Sequence, residues 1–379
     1  MKKIRSKRSL KRNIIYFSAV ILIFTAIFSG LYLIGVYSNI SFIKYWRAIW
    51  VETAMTTGDH QWLATNFIPK NIIDDIMKHQ IPINEISGGL DYLETNPLEN
   101  NGEPEKNENS HTVKPIEKTE PEVKDILNQE NLKTGDKDYA GNTILVNDIE
   151  QGIIISEITG KNYKGKIMLI DDPSRVFVGT TAKKSREGQR IKEILERYDA
   201  VAGINASGFS DPNGQGSGAD IIGMSCSNGA YWGEYVDYYG SVVLTKSNKL
   251  VVGNISIWEK YAIRDGIQFG PVLIADGEKQ ADGSNGFGIQ PRTAIGQRKD
   301  GVIAFLVIDG RDILYSIGCT IGELADIFVK YEIINAACCD GGSSSILAYN
   351  NEVITKNCSA NPAFGRRIPT AFLVKRKSP

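Results

Sequence analysis

The segment Cys339-Asp340-Gly341-Gly342-Ser343-Ser344-Ser345 closes an apolar, strand-like run that begins at Ile333. Two glycines let the backbone turn tightly enough for successive N–H groups to converge, and the serine hydroxyls add further donors. Such a nest suits an anionic oxygen. Asp340 at its mouth serves either as a general acid or base or as a cap for the turn, since strand-Asp-Gly-Gly also begins ordinary hairpins. A second group of residues points the same way. Arg292-Thr293 opens one strand-like run and Asp309-Gly310-Arg311 closes the next, with the turn Lys299-Asp300-Gly301 between them. Antiparallel pairing brings both arginines to one end of the sheet, beside the glycine-serine nest, where two guanidiniums make a phosphate site. The bland alternative is a pair of solvated strand ends bridged to Asp309 or Glu278. Asn205, in Gly203-Ile204-Asn205-Ala206-Ser207-Gly208-Phe209, also follows a strand-like run and either donates to a sugar hydroxyl or phosphate oxygen or simply builds a turn. Beyond it, Asp211 to Gly218 offers oxygen ligands for a divalent cation such as calcium, although the twelfth-position glutamate of a hand-type loop is missing. A mobile active-site loop is the other reading of that stretch.

Histidine placement restricts the chemistry. The three histidines, His60, His79 and His111, all precede residue 139. A domain made of residues 139–379 therefore holds no Ser-His-Asp or Cys-His triad and no histidine-bound zinc. Its proton transfers fall to carboxylates, Lys, Tyr or Cys, which suits glycosidic and phosphate bonds, where paired acids and arginines suffice. The five cysteines, Cys226, Cys319, Cys338, Cys339 and Cys358, form no Cys-x-x-Cys pair, so they read as buried thiols with at most a disulfide among them. A formal net charge of -1 over 379 residues provides no basic field for nucleic acid.

The elements that must hold these residues follow from composition. Residues 1–13 form a basic tail with Lys2, Lys3, Arg5, Lys7, Arg8, Lys11 and Arg12 and no acid. Residues 14–37 carry no charge and, at ~1.5 Å per residue, reach about 36 Å, enough to cross a bilayer core. The basic flank predicts a cytoplasmic tail, a single membrane span and everything beyond it exported; a cleaved signal peptide would have a shorter apolar core and a small-residue cleavage site. Residues 38–95 read as a membrane-proximal helical segment, with Trp46, Ile49, Trp50, Trp62, Leu63 and Phe67 at helical spacing. Residues 96–138, rich in Glu, Lys, Asn and Pro, read as a disordered linker. Residues 139–379 form the globular domain, with short strand-like runs and two amphipathic helices, at 187–198 and from a capping box at Thr320 and Glu323 to about residue 332. Gln268 to Ala275 reads as one strand, and no internal repeat is evident. Strands outnumber helices without regular alternation, so the fold class is α+β: a strand-rich mixed sheet with few helices, preceded by one N-terminal transmembrane helix.

In order and spacing, Gly203 to Phe209, Gly270-Pro271-Val272-Leu273, Pro291 to Gly296, Asp309-Gly310-Arg311 and Asp340 to Ser344 resemble the phosphodiester glycosidase domain family. Its members include the lysosomal enzyme that uncovers mannose 6-phosphate and bacterial exopolysaccharide biosynthesis proteins. The resemblance covers roughly the last 240 residues and implies a site for a sugar joined through its anomeric oxygen to phosphate. Family motif positions fall on Asn205, Arg292, Thr293, Asp309, Arg311, Asp340, Gly341, Gly342 and Ser344. Two departures stand out: Ala206-Ser207 replaces the glycine pair after the asparagine, and Ser343 replaces the third glycine of the Asp-Gly-Gly-Gly run. The expectation is a membrane-anchored, extracytoplasmic hydrolase of a glycosyl phosphodiester in cell-surface polysaccharide metabolism. Asp340 and Asp309 are its candidate catalytic carboxylates. Asn205, Arg292, Thr293, Arg311, Gly341, Gly342, Ser343 and Ser344 bind the phosphorylated glycan. A non-catalytic polysaccharide-binding or scaffold protein, or a transferase acting on the same bond, is the alternative.

Overall fold

The computed structural model describes residues 2–58, 60–81, 85–95, 132–212 and 216–377, so most of the expected linker (96–138) lies outside the described residues. Helix α1 runs Lys2–Tyr37, and its stretch Asn13–Tyr37 is long and apolar enough to cross a membrane, with 6% of its most apolar window buried against protein. Three short helices follow, α2 (Ser41–Met55), α3 (Trp62–Thr65) and α4 (Lys70–Met77), packed on one another through Val51, Ala54, Ala64 and Ile73. This segment is helical, as the periodicity predicts, and it does not stand apart from the domain. Ile81 N–H donates to Asn285 O, and the bridges Gly88 to Val252 and Thr95 to Tyr261 attach its tail to a sheet.

Three sheets make up the domain. An eight-stranded sheet runs in the order Ile144–Asp148, Ile153–Thr159, Lys164–Ile170, Ile303–Ile308, Arg292–Arg298, Ile333–Cys339, Val272–Ala275, Glu278–Lys279. A five-stranded sheet has the order Glu352–Val353, Leu347–Tyr349, Ala200–Asn205, Thr370–Lys375, Val176–Thr180, and another five-stranded sheet centres on Ile263–Phe269 between Ser225–Ser227 and Gly240–Thr245. The main core collects inward faces from all three sheets, for example Ile155, Phe305, Val201, Phe372, Leu244 and Ile267. Central strands are buried on both faces, so alternate residues enter different cores: Ile303, Phe305 and Val307 face this shared interior, and Ala304, Leu306 and Ile308 enter a second core on the other side of the sheet.

The domain is α+β and strand-rich, but every strand pair among the described residues is antiparallel, so the expected mixed sheet is corrected. The reason lies in two units of one plan. In the first, Val176–Thr180 leads through helix α5 (Ile191–Tyr198) to Ala200–Asn205, and Thr370–Lys375 is inserted between the two strands. In the second, Ile303–Ile308 leads through helix α6 (Ile321–Lys330) to Ile333–Cys339, and Arg292–Arg298 is inserted. Each helix crosses between strands that point the same way, but the inserted antiparallel strand takes up both ladders. Both helices stop at a tyrosine followed by a left-handed residue, Asp199 at φ 47° and Glu332 at φ 55°. This duplication is absent from the surface pattern of the sequence. Two boundaries also move. The run Gln268 to Ala275 is broken at Gly270-Pro271, where Pro271 lacks the N–H a central ladder needs, and its halves join different sheets. Helix α5 begins at Ile191 because Gln189 is drawn into a bridge with Ile368.

Candidate active-site cleft

The two units end at the same place. Ala200–Asn205 delivers Asn205 and Ile333–Cys339 delivers Asp340, and the chain ends are tied together where they leave the sheets. Asn205 Nδ2 donates to Asp340 O at 2.6 Å, and Asp340 N–H donates to Ala206 O at 2.9 Å. Asn205 Oδ1 accepts from the Thr293 hydroxyl at 2.8 Å and from Ile346 N–H at 3.1 Å. Asn205 and Thr293 are buried and spend these side-chain bonds on protein, so they position the Asp340 turn instead of lining the cavity. Asn205, expected at the ligand, is placed here as a tie behind the Asp340 turn.

Above this junction opens a cleft of about 1060 Å³, lined by Arg292, Arg311, Asp340, Gly341, Gly342, Ser343 and Ser344 among the expected residues. The expected hairpin accounts for their convergence. Arg292 pairs with Ile308, one residue from Asp309, and Thr293 pairs with Cys339, one residue from Asp340. Arg292 is nearly buried; its Nη2 donates to Phe287 O and Gly288 O and its Nε to Cys319 O. No carboxylate pairs with it among the described residues, and burial, together with the nearby Arg311 cation, pushes its guanidinium below its ordinary value. Arg311 sits in the left-handed region at φ 61°, and its Nη2 lies 3.1 Å from where a Cβ on Gly342 would stand. Gly342 sits at φ 60°, a left-handed conformation that favours glycine, and a side chain there would also crowd that guanidinium. The Arg311 guanidinium makes no hydrogen bond or ion pair among the described residues.

Asp340 is half-buried on the cleft floor. Burial pushes its carboxyl up to about 6, opposed by a hydrogen bond from Ser344, the Arg366 cation and the Gly341 N–H. The expected amide nest is only partly available. Gly342 N–H donates to Pro291 O, Ser344 N–H to Gly341 O and Ser345 N–H to Gly342 O, so these donors are used inside the turn and cationic side chains carry most of the site's positive potential. Asp309 stands behind the cleft, 2% exposed and outside its lining. Its Oδ2 accepts from the Tyr315 hydroxyl at 3.1 Å while Oδ1 has no partner, and burial raises its pKa. Of the two candidate carboxylates, only Asp340 borders the cavity.

Sequence reasoning missed several lining residues. Arg366 donates to Ser343 Oγ at 3.1 Å, pairs with Asp211 at 2.6 Å and lies over the Phe209 ring. The Arg366-Arg367 doublet lies just ahead of the closing strand, near a strand start as Arg292 is, which was the available signal. Asp211, read as a possible cation ligand, is committed to Arg366 and to Gly216 N–H, and no group of three His, Cys, Asp or Glu side chains suited to a metal gathers among the described residues. Residues 213–215 of that loop lie outside them. Phe209, Tyr239 and Phe269 form an aromatic wall, with Tyr239 and Phe269 rings 5.0 Å apart. Burial, followed by the Asp340 charge, raises the Tyr239 phenol, which stays protonated.

Residues 139–379 contain no histidine, but an imidazole from outside them reaches the cleft. Met55, Thr56, Thr57, Gly58, His60 and Gln80 of the segment 38–95 complete the cleft, so His60 borders a cavity whose lining residues from the globular domain begin at Glu187, more than 120 positions further along the chain. Gln290 Nε2 donates to the Thr56 hydroxyl at 2.7 Å and Ile289 N–H to the Thr53 hydroxyl at 3.0 Å, which fixes this wall to the loop that also holds Arg292. All five cysteines are free thiols; Cys319, Cys338 and Cys339 are raised by burial, and they back Arg292 and Asp340 with apolar volume.

Residues 198–375 match the phosphodiester glycosidase family. A prophage-derived uncharacterized protein of Bacillus subtilis (strain 168) is 26% identical over 261 residues, which is 62% of this chain and 38% of that protein, so the chain spans well under half of the relative's length. Among solved structures, the catalytic domain of zebrafish N-acetylglucosamine-1-phosphodiester alpha-N-acetylglucosaminidase, auto-inhibited by its pro-peptide, superposes with a TM-score of 0.48 at 19% identity, over 59% of this chain and 82% of that one. A hypothetical protein from Synechocystis gives a TM-score of 0.46 at 14% identity, over 59% of this chain and 62% of that one.

Proposed function

We propose that this chain is a membrane-anchored hydrolase of a glycosyl phosphodiester, with α1 as the span, the basic tail in the cytoplasm and the domain outside. The observation that carries the reading is a pair of guanidiniums, Arg292 and Arg311, that face one cleft without a carboxylate partner among the described residues, next to a carboxyl whose pKa is about 6. A buried cation without a counter-ion is costly, so the site is poised for an anion to complete it. The family match at residues 198–375 supports reading that anion as a phosphodiester whose sugar is joined through its anomeric carbon.

In this reaction the bond between the anomeric carbon and the phosphate oxygen breaks, and its electron pair leaves with the phosphate. Arg292 and Arg311 neutralise the departing phosphomonoester, with Arg366 held close by through Ser343 and Asp211. Such a leaving group needs little protonation. The ionised Asp340 takes a proton from water as the water oxygen bonds to the anomeric carbon, which yields free sugar and a phosphomonoester. Phe209, Tyr239 and Phe269 offer an apolar face for the sugar ring.

The test is release of free sugar from sugar-1-phosphate diesters by the purified full chain. Asp340→Asn and Arg292→Met, if folded, are expected to release none. Release at the wild-type rate by either variant rules out the assignment. A rise in melting temperature with the diester but no product from wild type identifies a binding protein instead.

A further inference from the structure

The membrane-proximal wall connects the cleft to the bilayer. Tyr32 stands five residues before the end of α1, about 7.5 Å along the helix axis, and its hydroxyl donates to Phe67 O at 2.9 Å. Arg47 Nη1 donates to Val36 O at 2.8 Å, to Ser38 O at 3.1 Å and to Gly35 O at 3.3 Å, and Trp50 Nε1 donates to Leu63 O at 3.0 Å. These bonds clamp α2 and α3 against the last turns of α1. Phe42, Tyr45, Trp46, Trp50, Trp62 and Phe67 are all exposed on this segment, the aromatic population expected at a membrane–water boundary. Between α1, α2 and the end of α3 runs an apolar groove of about 570 Å³ bordered by Tyr32, Gly35, Phe42, Trp46, Trp50 and Phe67. Trp50 borders the groove and Met55 borders the cleft, five residues apart on α2, about 7.5 Å of rise along the helix axis.

We infer that the substrate is a membrane lipid: a glycosyl phosphodiester whose second ester carries a long hydrocarbon chain. The chain lies in the groove, and the sugar phosphate sits between Arg292 and Arg311. The inference rests on the glycosidase reading and on α1 as the span. The groove favours hydrocarbon because it continues the surface of the spanning helix, so a lipid tail enters from the bilayer without crossing water. A soluble glycan would leave that apolar surface unused. Groove and cleft are both built on helix α2, so one element holds both ends of such a lipid. Hydrolysis releases the free sugar, and the lipid phosphomonoester stays in the membrane.

The experiment uses the full chain in lipid nanodiscs with two N-acetylglucosamine 1-phosphate diesters, one a methyl ester and one a long-chain alkyl ester mixed into the bilayer. Gly35→Leu fills the groove, and nothing stands within 4 Å of a Cβ there, so the fold accommodates it. Gly35→Leu is expected to lower cleavage of the long-chain diester by about tenfold and to leave that of the methyl ester within about twofold. An equal effect on both substrates, or on neither because only bulk lipid occupies the groove, overturns the lipid assignment while the glycosidase reading stands. Cleavage of neither diester by the wild type removes both.

Discussion

Asp340 carries the clearest chemical signature. Its carboxyl is held near 6 by burial, so it ionises across the range in which a base must switch on. If the ionised form activates water, kcat/KM rises with pH through about 6 and levels above it, and a pH profile of sugar release checks this. The stability sign is opposite. A carboxyl raised above its unfolded value contributes stability that is fully present below the unfolded pKa and is lost as pH rises through about 6. Asp340→Asn, which cannot ionise, is therefore expected to melt higher than wild type at pH 8 and to lose that advantage at pH 4, as measured by calorimetry. Arg311 gives a cleaner separation. Its guanidinium is exposed and makes no bond among the described residues, so Arg311→Ala is expected to leave the melting temperature within about 1 °C while lowering kcat/KM by about 100-fold, the usual cost of one lost charge-stabilising donor. Arg292, Arg311 and Asp340 were legible in the sequence because each sits at the end of a strand next to a turn, where local pattern fixes position. Arg366 shares that placement, but its role depends on Asp211 and Ser343, more than 150 and about 20 positions away respectively, and no local pattern records such partners.

At the level of elements, the two strand-helix-strand units bring their C-terminal ends together, and Asn205 is the joint. Its amide satisfies Asp340 O, the Thr293 hydroxyl and Ile346 N–H in a buried setting, so Asn205→Ala leaves three polar groups unpaired. The expected cost is about 2–4 kcal/mol, read as a lower midpoint in urea, with loss of activity following from displacement of Asp340. Helix α6 was readable from Thr320, whose hydroxyl accepts from Glu323 N–H while the Glu323 carboxylate accepts from Thr320 N–H. Thr320→Ala is expected to cost about 1 kcal/mol without changing kcat. The antiparallel character of the sheets was not readable, because strand patterns report which face is buried and say nothing of which strand is inserted between two others.

For the whole molecule, the membrane-proximal helices act as a wall of the cleft and not as a spacer. Thr53 and Thr56 fasten that wall to the loop at residues 287–290. Thr53→Val with Thr56→Val is expected to loosen it and, under the proposed reaction, to raise KM several-fold with kcat nearly unchanged, because the wall lines the cleft away from Asp340.

The sequence by itself determined the apolar helix near the N-terminus, the strand-rich α+β class, and the grouping of Arg292, Arg311 and Asp340 at one sheet end. Each of these follows from short-range periodicity, from turn chemistry or from the order of recognisable motifs. Only the tertiary structure decided that His60 borders the cleft, that Asn205 and Thr293 hold the turn from behind, and that Asp309 lies outside the cavity. These outcomes depend on packing between segments separated by many tens of residues, where contact is set by the filling of a shared core and by the pairing of buried polar groups.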